Sequence, residues 1–293
     1  TEGKPVKITY TREEEFNAGR SRHPMRVWMR TGVKKDGTLT ANEMRVLADT
    51  GAYASAGPRI MIRASVSLAG PYDFAAGSIH GRVVYTNNTL AGAMRGFGGP
   101  QAAFAIESHI DAMAGRLGID PLEFRWMNRR SSTGPGASPR TREQELAYEA
   151  TLEAVRPYYQ EAVQARRAAR AGRRWRRGVG IASMRYGIGY TTYEPPKVTL
   201  ELEAGGHLRL FPGAIDMGQG TDTALGLIVA RELALPLEHI SVVTGDTAIT
   251  PDTGSTGGSR VVYTEGNAVM EAATRLREAV LSTASGLLER PIQ

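Results

Sequence analysis

Apolar positions along the chain recur with a period of two in some stretches and with a helical period in others. Residues 5–11 alternate as a strand, and 13–16 read as a short helical turn. Residues 25–33 and 39–48 are strand-like runs joined by Lys34-Lys35-Asp36-Gly37-Thr38, whose Asp-Gly step predicts a hairpin. A mixed segment follows over 58–68 with Pro58 at a helix start, and 82–85 reads as a short strand. The first strong helix is predicted over 100–117, with Phe104, Ile110, Met113, Ala114 and Leu117 as its apolar stripe and Gly118 at its C-terminal stop. Asp120 is placed to cap a second helix that starts on Pro121.

Residues 131–141, Ser-Ser-Thr-Gly-Pro-Gly-Ala-Ser-Pro-Arg-Thr, form the best linker, and a domain boundary is expected there. A charged helix follows from about Arg142, kinked or broken at Pro157. Strands are predicted over 179–184, 197–203, 207–211 and 240–243. The helix after Gly220 carries Ala224, Leu227, Ile228 and Leu235 on one side, and a last helix runs from Gly266 to about Leu288. The expected class is α+β with mixed sheets rather than a clean βαβ alternation, and no internal repeat is apparent.

With 293 residues, 41% apolar and 23% charged, the chain has a globular composition and length enough for two domains. No run approaches the roughly 20 apolar residues of a membrane-spanning helix, and no leader is visible at Thr1. The absence of cysteine excludes disulfides, thiolate zinc, a cysteine nucleophile and iron–sulfur clusters ligated in the usual way by this chain. A cytoplasmic location is the expectation. The histidines His23, His80, His109, His207 and His239 form no HExxH and no close pair, so no metal site built from protein ligands is expected. Arginine supplies most of the +6 formal charge, most densely over 166–177. No aromatic-interleaved recognition motif accompanies that run, so it reads as a solvated helix end or a surface facing an acidic partner, not as a nucleic-acid site.

Three glycine-rich turns each precede a helix. They are Ala93-Met94-Arg95-Gly96-Phe97-Gly98-Gly99-Pro100-Gln101, Asp216-Met217-Gly218-Gln219-Gly220-Thr221 and Ser255-Thr256-Gly257-Gly258-Ser259-Arg260. Glycine lets the backbone approach a ligand closely, and the amides at a helix start attract anions. There is no Walker lysine and no GxGxxG in a βαβ setting. The physics by itself therefore stops at an anionic or dinucleotide-like ligand.

Met94-Arg95-Gly96-Phe97-Gly98-Gly99-Pro100-Gln101, then Glu107, then Gly118-Ile119-Asp120-Pro121-Leu122-Glu123-Phe124-Arg125, resemble the molybdopterin-domain signature of the molybdenum hydroxylases, the xanthine dehydrogenase and aldehyde oxidase family. Asp216-Met217-Gly218-Gln219-Gly220 resembles the family's second cofactor loop. Thr256-Gly257-Gly258-Ser259 with Gly266-Asn267-Ala268-Val269 resembles its third, and Thr244-Gly245-Asp246-Thr247 also fits. The resemblance spans nearly the whole chain. It implies two mixed α/β molybdopterin-binding domains with the cofactor between them: 1–130 as the C-terminal part of the first, 131–141 as linker and 142–293 as the second, truncated before the catalytic glutamate.

The resemblance further implies molybdopterin with molybdenum, often as the cytosine dinucleotide in bacteria, with iron–sulfur clusters and FAD carried on partner domains or subunits. Met94, Arg95 and Gly96 match positions whose backbone faces the pterin. Gly218, Gln219 and Gly220, and Gly257, Gly258 and Ser259, match cofactor-binding loops. Phe97 matches an aromatic that stacks on a planar substrate, Tyr190 falls where a second one sits, and Thr191 follows it. Arg63 stands before Arg95 at the spacing where purine-oxidising members place a substrate-orienting arginine.

The match fails at both ends. The family's upstream glycine-glutamine-rich segment has no counterpart in this sequence. Glu289-Arg290-Pro291 is not the family's Gly-Glu-Pro type motif, so the general-base glutamate has no counterpart. The expectation is a piece of a longer or split subunit, incompetent alone, whose partners are the rest of that subunit, the iron–sulfur and flavin components and a small-molecule substrate. The copper-containing carbon monoxide dehydrogenases are excluded, because their first loop carries a cysteine. Hydroxylation of an N-heteroaromatic or aldehyde leads. A dehydroxylating aromatic acyl-CoA reductase and a non-catalytic basic binding module are the alternatives.

Overall fold

The computed structural model describes residues 2–130, 139–168, 175–189 and 195–291. Contacts divide the chain into two compact units, Thr1–Tyr186 and Gly187–Gln293.

In the first unit, helix α1 (Arg12–Ala18) starts on a capping box in which Thr11 and Glu14 satisfy each other's amides. Strands β1 (Met25–Val33) and β2 (Leu39–Asp49) pair antiparallel through the expected hairpin, where Lys34 N–H donates to Thr38 O at 2.9 Å and Gly37 takes φ 93°. Helix α2 (Gly57–Ser67), opened by Pro58, then carries the chain over to β3 (Ala76–Val84), which lies parallel to β2. The sheet order is β1-β2-β3. Helix α3 (Gly99–Leu117) ends on left-handed Gly118, and α4 (Pro121–Met127) is capped by Asp120, which accepts from the Leu122 and Glu123 amides. The long helix α5 (Pro139–Ala168) follows.

One face of β2 carries Leu39, Met44, Val46 and Ala48 inward against α2 and α3. Ile106, Ile110, Met113 and Ala114 of α3 close the core with Tyr72 and Phe124.

The second unit follows the same route. Strands β4 (Val198–Leu202) and β5 (Leu208–Pro212) pair antiparallel. Helix α6 (Thr221–Leu233) crosses to β6 (Ile240–Val242), which lies parallel to β5, in the order β4-β5-β6. Helix α7 (Val261–Leu288) packs Val269 against Leu208, Leu210, Leu225, Val229 and Ile240. Both sheets are therefore a hairpin followed by a βαβ crossover, so two mixed α/β domains are present. The two units share this topology, while no internal repeat is apparent in the sequence.

Several expectations are corrected. Residues 5–11 join no described strand, and Val6 and Ile8 are exposed, so their alternation has no sheet to face. Residues 179–184 belong to no sheet. Phe104 is 78% exposed, and Ala102 and Ile106 take its place in the stripe of α3. On α6 the buried positions are Leu225 and Val229 while Leu227 is exposed, because the sheet lies on a different face. Helix α5 continues past Pro157, so the helix is not broken there. Of the expected linker, residues 131–138 lie outside the described residues, and 139–141 are in α5. Among the described residues no helix is long and apolar enough to cross a membrane.

Candidate functional site

The first glycine-rich bend is two successive tight turns. Phe97 N–H donates to Met94 O and Gly99 N–H to Gly96 O, both at 2.8 Å. Gly96, Phe97 and Gly98 all take positive φ, 89°, 48° and 88°. For Phe97 that conformation costs about 1–2 kcal/mol, a local strain of the kind that clusters at ligand sites. Gly98 has to be glycine for a second reason: a Cβ there would lie 2.7 Å from Ile60 O and 3.1 Å from the Ala64 Cβ, so the bend rests directly on α2. From outside, Arg22 donates to Arg95 O at 2.8 Å, and Gln101 donates to His23 O at 3.1 Å. Met94 and Arg95 are exposed and Phe97 is half-buried. Burial pushes the His23 imidazole below its ordinary value, against the Gly92 backbone and the Asp49 charge.

Arg63 sits on α2 beside Ala64, on the helix that supports this bend. Its guanidinium lies 4.7 Å from the centroid of the Tyr186 ring. The structure thus brings Arg63, Phe97, Met94, Arg95 and Gly96 into one unit. Tyr190 and Thr191 lie outside the described residues.

The second and third bends come together in the other unit. Asp216 Oδ1 accepts from Gly218 N at 2.7 Å, and its Oδ2 from Asp222 N at 3.2 Å. The Gly218 and Asp222 amides hold the Asp216 carboxyl below its ordinary value. Burial pushes Asp222 up, helped by the Asp216 charge. Gln219 folds back: its Oε1 accepts from Met217 N at 2.6 Å and its Nε2 donates to Ile215 O at 3.0 Å, so the side chain shapes the bend from within. Thr256 Oγ1 accepts from Ile215 N at 3.0 Å and joins the third bend to the second. There Gly258 and Ser259 take φ 66° and 51°.

Two buried charged residues of α7 and its start hold this pair of bends, and sequence reasoning missed both. Glu265 accepts from Ala214 N at 3.0 Å and from Thr253 Oγ1 at 2.9 Å. Arg260 donates to Thr253 O and, at 3.2 Å, to Ser255 O. The signal was present as an acidic residue four positions before the core residue Val269, on the same helix face. In the first unit Glu107, Arg125 and Tyr186 were likewise given no role of their own.

The helix starts test whether an anionic cofactor fits. Helices α3, α6 and α7 begin without a side-chain cap, unlike α1 and α4, which Thr11 and Asp120 cap. At α3 the Gly99 amide is taken by Gly96 O and Pro100 has none, and at α6 the Asp222 amide donates to Asp216, so only part of each first turn remains for a ligand, where the helix dipole favours negative charge. Added Cβ atoms at Gly218, Gly220 and Gly257 would meet nothing within 4 Å, so these glycines face free space rather than neighbouring chain. Among the described residues no group of three or more His, Asp or Glu is placed to hold a metal ion.

Comparison with known proteins points the same way. Families described as "Molybdopterin cofactor-binding domain" match residues 1–129 and 154–292. The putative xanthine dehydrogenase molybdenum-binding subunit XdhA of Escherichia coli is 34% identical over 98% of this chain and 39% of its own length. The chain belongs to the molybdenum hydroxylase family. Within that family, the aldehyde oxidoreductase of Megalodesulfovibrio gigas is 33% identical over 94% of this chain and 31% of its own length. The crystal structure of the aldehyde oxidoreductase from Desulfovibrio desulfuricans superimposes with a TM-score of 0.76 at 28% identity, covering 97% of this chain and 32% of that one. The chain spans about a third of the length of these molybdenum hydroxylase relatives.

Proposed function

We propose that this chain forms the cofactor-gripping and substrate-orienting part of an enzyme that hydroxylates an N-heteroaromatic, purine-like substrate or an aldehyde with oxygen derived from water. The observation that carries this reading is the place of Arg63, on the helix that supports the first bend, next to the residue that touches Gly98. A guanidinium there is a permanent positive charge able to stabilise negative charge developing on a carbonyl of the substrate. Phe97, and Tyr190 with Thr191, are proposed to orient a flat ring.

The backbone of Met94, Arg95 and Gly96, the bend Gly218-Gln219-Gly220 and the bend Gly257-Gly258-Ser259 are proposed to hold molybdopterin, as the cytosine dinucleotide. When bound, that group supplies the metal that delivers oxygen and accepts the electrons. This chain's residues would neutralise its phosphate charge with helix-start amides and keep the ring plane aligned. The general base, the iron–sulfur clusters and the flavin are assigned to the rest of the subunit and to partner components, and the enzyme to the cytoplasm.

The test uses the native full-length enzyme. Molybdenum and an oxidised-pterin fluorescence product are expected in the purified protein. Arg63→Met should lower kcat/KM for a ketopurine about 100-fold and affect a simple aldehyde far less. Absence of metal and pterin would overturn the assignment, and an equal loss on both substrates would overturn the role of Arg63. Turnover of an aromatic acyl thioester instead of either substrate would move the enzyme to the dehydroxylating branch.

A further inference from the structure

Residues 179–186 cross the first unit without joining a sheet, yet one point of this strap is firmly tied. Ser183 N–H donates to Glu107 Oε2 at 2.7 Å, and Ser183 Oγ accepts from Tyr148 Oη at 2.9 Å. The same Glu107 oxygen accepts from Arg125 Nε at 2.9 Å, while Oε1 accepts from Tyr72 Oη at 2.6 Å. Arg125 also pairs with Asp111 at 2.8 Å. Glu107 and Arg125 are buried. Burial, and next the Glu107 charge, push the Tyr72 phenol far above its ordinary range, so it stays a donor. The strap is therefore fastened to a buried ion pair between α3 and α4, an anchor whose parts cannot move singly without stranding a charge.

Three residues further on, the strap delivers Tyr186. Its ring stacks with the Arg63 guanidinium at 4.7 Å on one side. It also packs on Gly99, where an added Cβ would come within 3.1 Å of it. An arginine side chain has many rotamers, and orienting a substrate requires one of them; a ring held in place removes the alternatives.

We propose that Tyr186 and Glu107 are positioning residues: Glu107 fixes the strap through the Ser183 amide, Tyr186 fixes the Arg63 guanidinium, and the pair sets the preference for carbonyl-bearing heterocycles over simple aldehydes. The proposal rests on the reading of Arg63 as the substrate-orienting cation, and neither residue touches the reacting atoms. The strap's hold on Arg63 bears on how well its charge meets the substrate carbonyl as negative charge develops there, and so on kcat/KM for carbonyl-bearing substrates.

In the full-length enzyme, Tyr186→Leu should lower kcat/KM for a ketopurine about tenfold while that for a simple aldehyde changes much less. The ketopurine-to-aldehyde ratio of kcat/KM should fall about as far. Tyr186→Phe keeps the ring and should restore the wild-type ratio. Gly99→Ala, which crowds Met184 and the Tyr186 ring, should shift the ratio in the same direction as Leu. Glu107→Gln should accelerate deuterium exchange at the Ser183 amide about tenfold and lower the ratio too. Molybdenum and pterin content measured on each variant reads cofactor loading separately. An unchanged ratio in Tyr186→Leu, while Arg63→Met does shift it, overturns the positioning role alone. Unchanged exchange at Ser183 in Glu107→Gln overturns the link through the strap. An unchanged ratio in Arg63→Met overturns the underlying reading of Arg63, and the selectivity claim with it.

Discussion

The two sheets follow one route, hairpin then crossover, and both open the crossover with the same device. Asp49 accepts from Gly51 N at 2.8 Å and Asp216 from Gly218 N at 2.7 Å, each an Asp-x-Gly turn in which the side chain mimics a backbone carbonyl. The surroundings differ. Asp49 also accepts from Thr86 Oγ1 and Asn88 Nδ2, beyond the end of β3, and a Cβ on Gly51 would lie 2.4 Å from Thr89 O, so this turn is closed by distant chain. Among the described residues Asp216 accepts from its own bend and the start of α6, and Gly218 faces free space. The same local chemistry serves as a structural corner in one unit and as an open cradle in the other. The decision lies with what the fold brings up behind the turn.

That contrast can be tested, starting where the effect should be largest. Arg125→Met leaves the Glu107 carboxylate buried without its cation and should cost about 3–5 kcal/mol in urea-monitored unfolding of the full-length protein; a loss under about 1 kcal/mol would mean the frame of the first unit does not depend on that pair. Glu265→Gln, the corresponding change under the open bends, weakens hydrogen bonds to a charged acceptor and should cost about 2 kcal/mol, with cofactor retained less firmly on dialysis.

Gly51→Ala and Gly218→Ala separate the two turns directly. Both impose an unfavourable positive φ worth about 1–2 kcal/mol, but only Gly51→Ala adds a clash with Thr89 O. Gly51→Ala should therefore be the more destabilising in thermal unfolding, and Gly218→Ala the more damaging to pterin content. The reverse order would break the distinction between corner and cradle.

The smallest effect is on pH. Hydrogen bonds from Thr86 and the Gly51 amide hold Asp49 below its ordinary value of 3.8, and the Gly218 and Asp222 amides do the same for Asp216. A depressed carboxyl pKa contributes stability that is present above the unfolded value and is lost as pH falls through the folded one. Both turns should therefore stay ordered at about pH 5 and loosen only below about pH 4, read from the Gly51 and Gly218 amide signals. His23 adds a separate window. Its pKa is lowered from 6.5 by burial, so stability should fall as pH drops below that value, and His23→Gln should remove that dependence.

Much of this was legible in the sequence because it is local. Asp-Gly at the first hairpin, Pro58, Pro121, Asp120 and Gly118 each act through their own backbone within a few residues, and each stands where it was expected. The three glycine-rich bends were recognisable for the same reason. Positive φ at Gly96, Gly98, Gly218 and Gly258 is a property of those positions. The order of the motifs was enough to suggest the molybdenum hydroxylase family that the matched domains then establish.

What the tertiary structure alone decided is which faces and partners those local elements meet. An apolar period says that Phe104 and Leu227 can be buried; only the placement of the sheet leaves them in solvent. Residues 179–184 alternate like a strand, but a strand needs a neighbour, and here the backbone finds a single carboxylate instead. Glu107, Glu265 and Arg260 look like ordinary charges in the sequence. Burial makes Glu107 and Glu265 demand partners from distant segments, which ties Ser183 to α3 and Ala214 to α7, while Arg260 closes the third bend on Thr253 and Ser255. Sequence separation hides such pairings, because their energy exists only once the chain has excluded water from them.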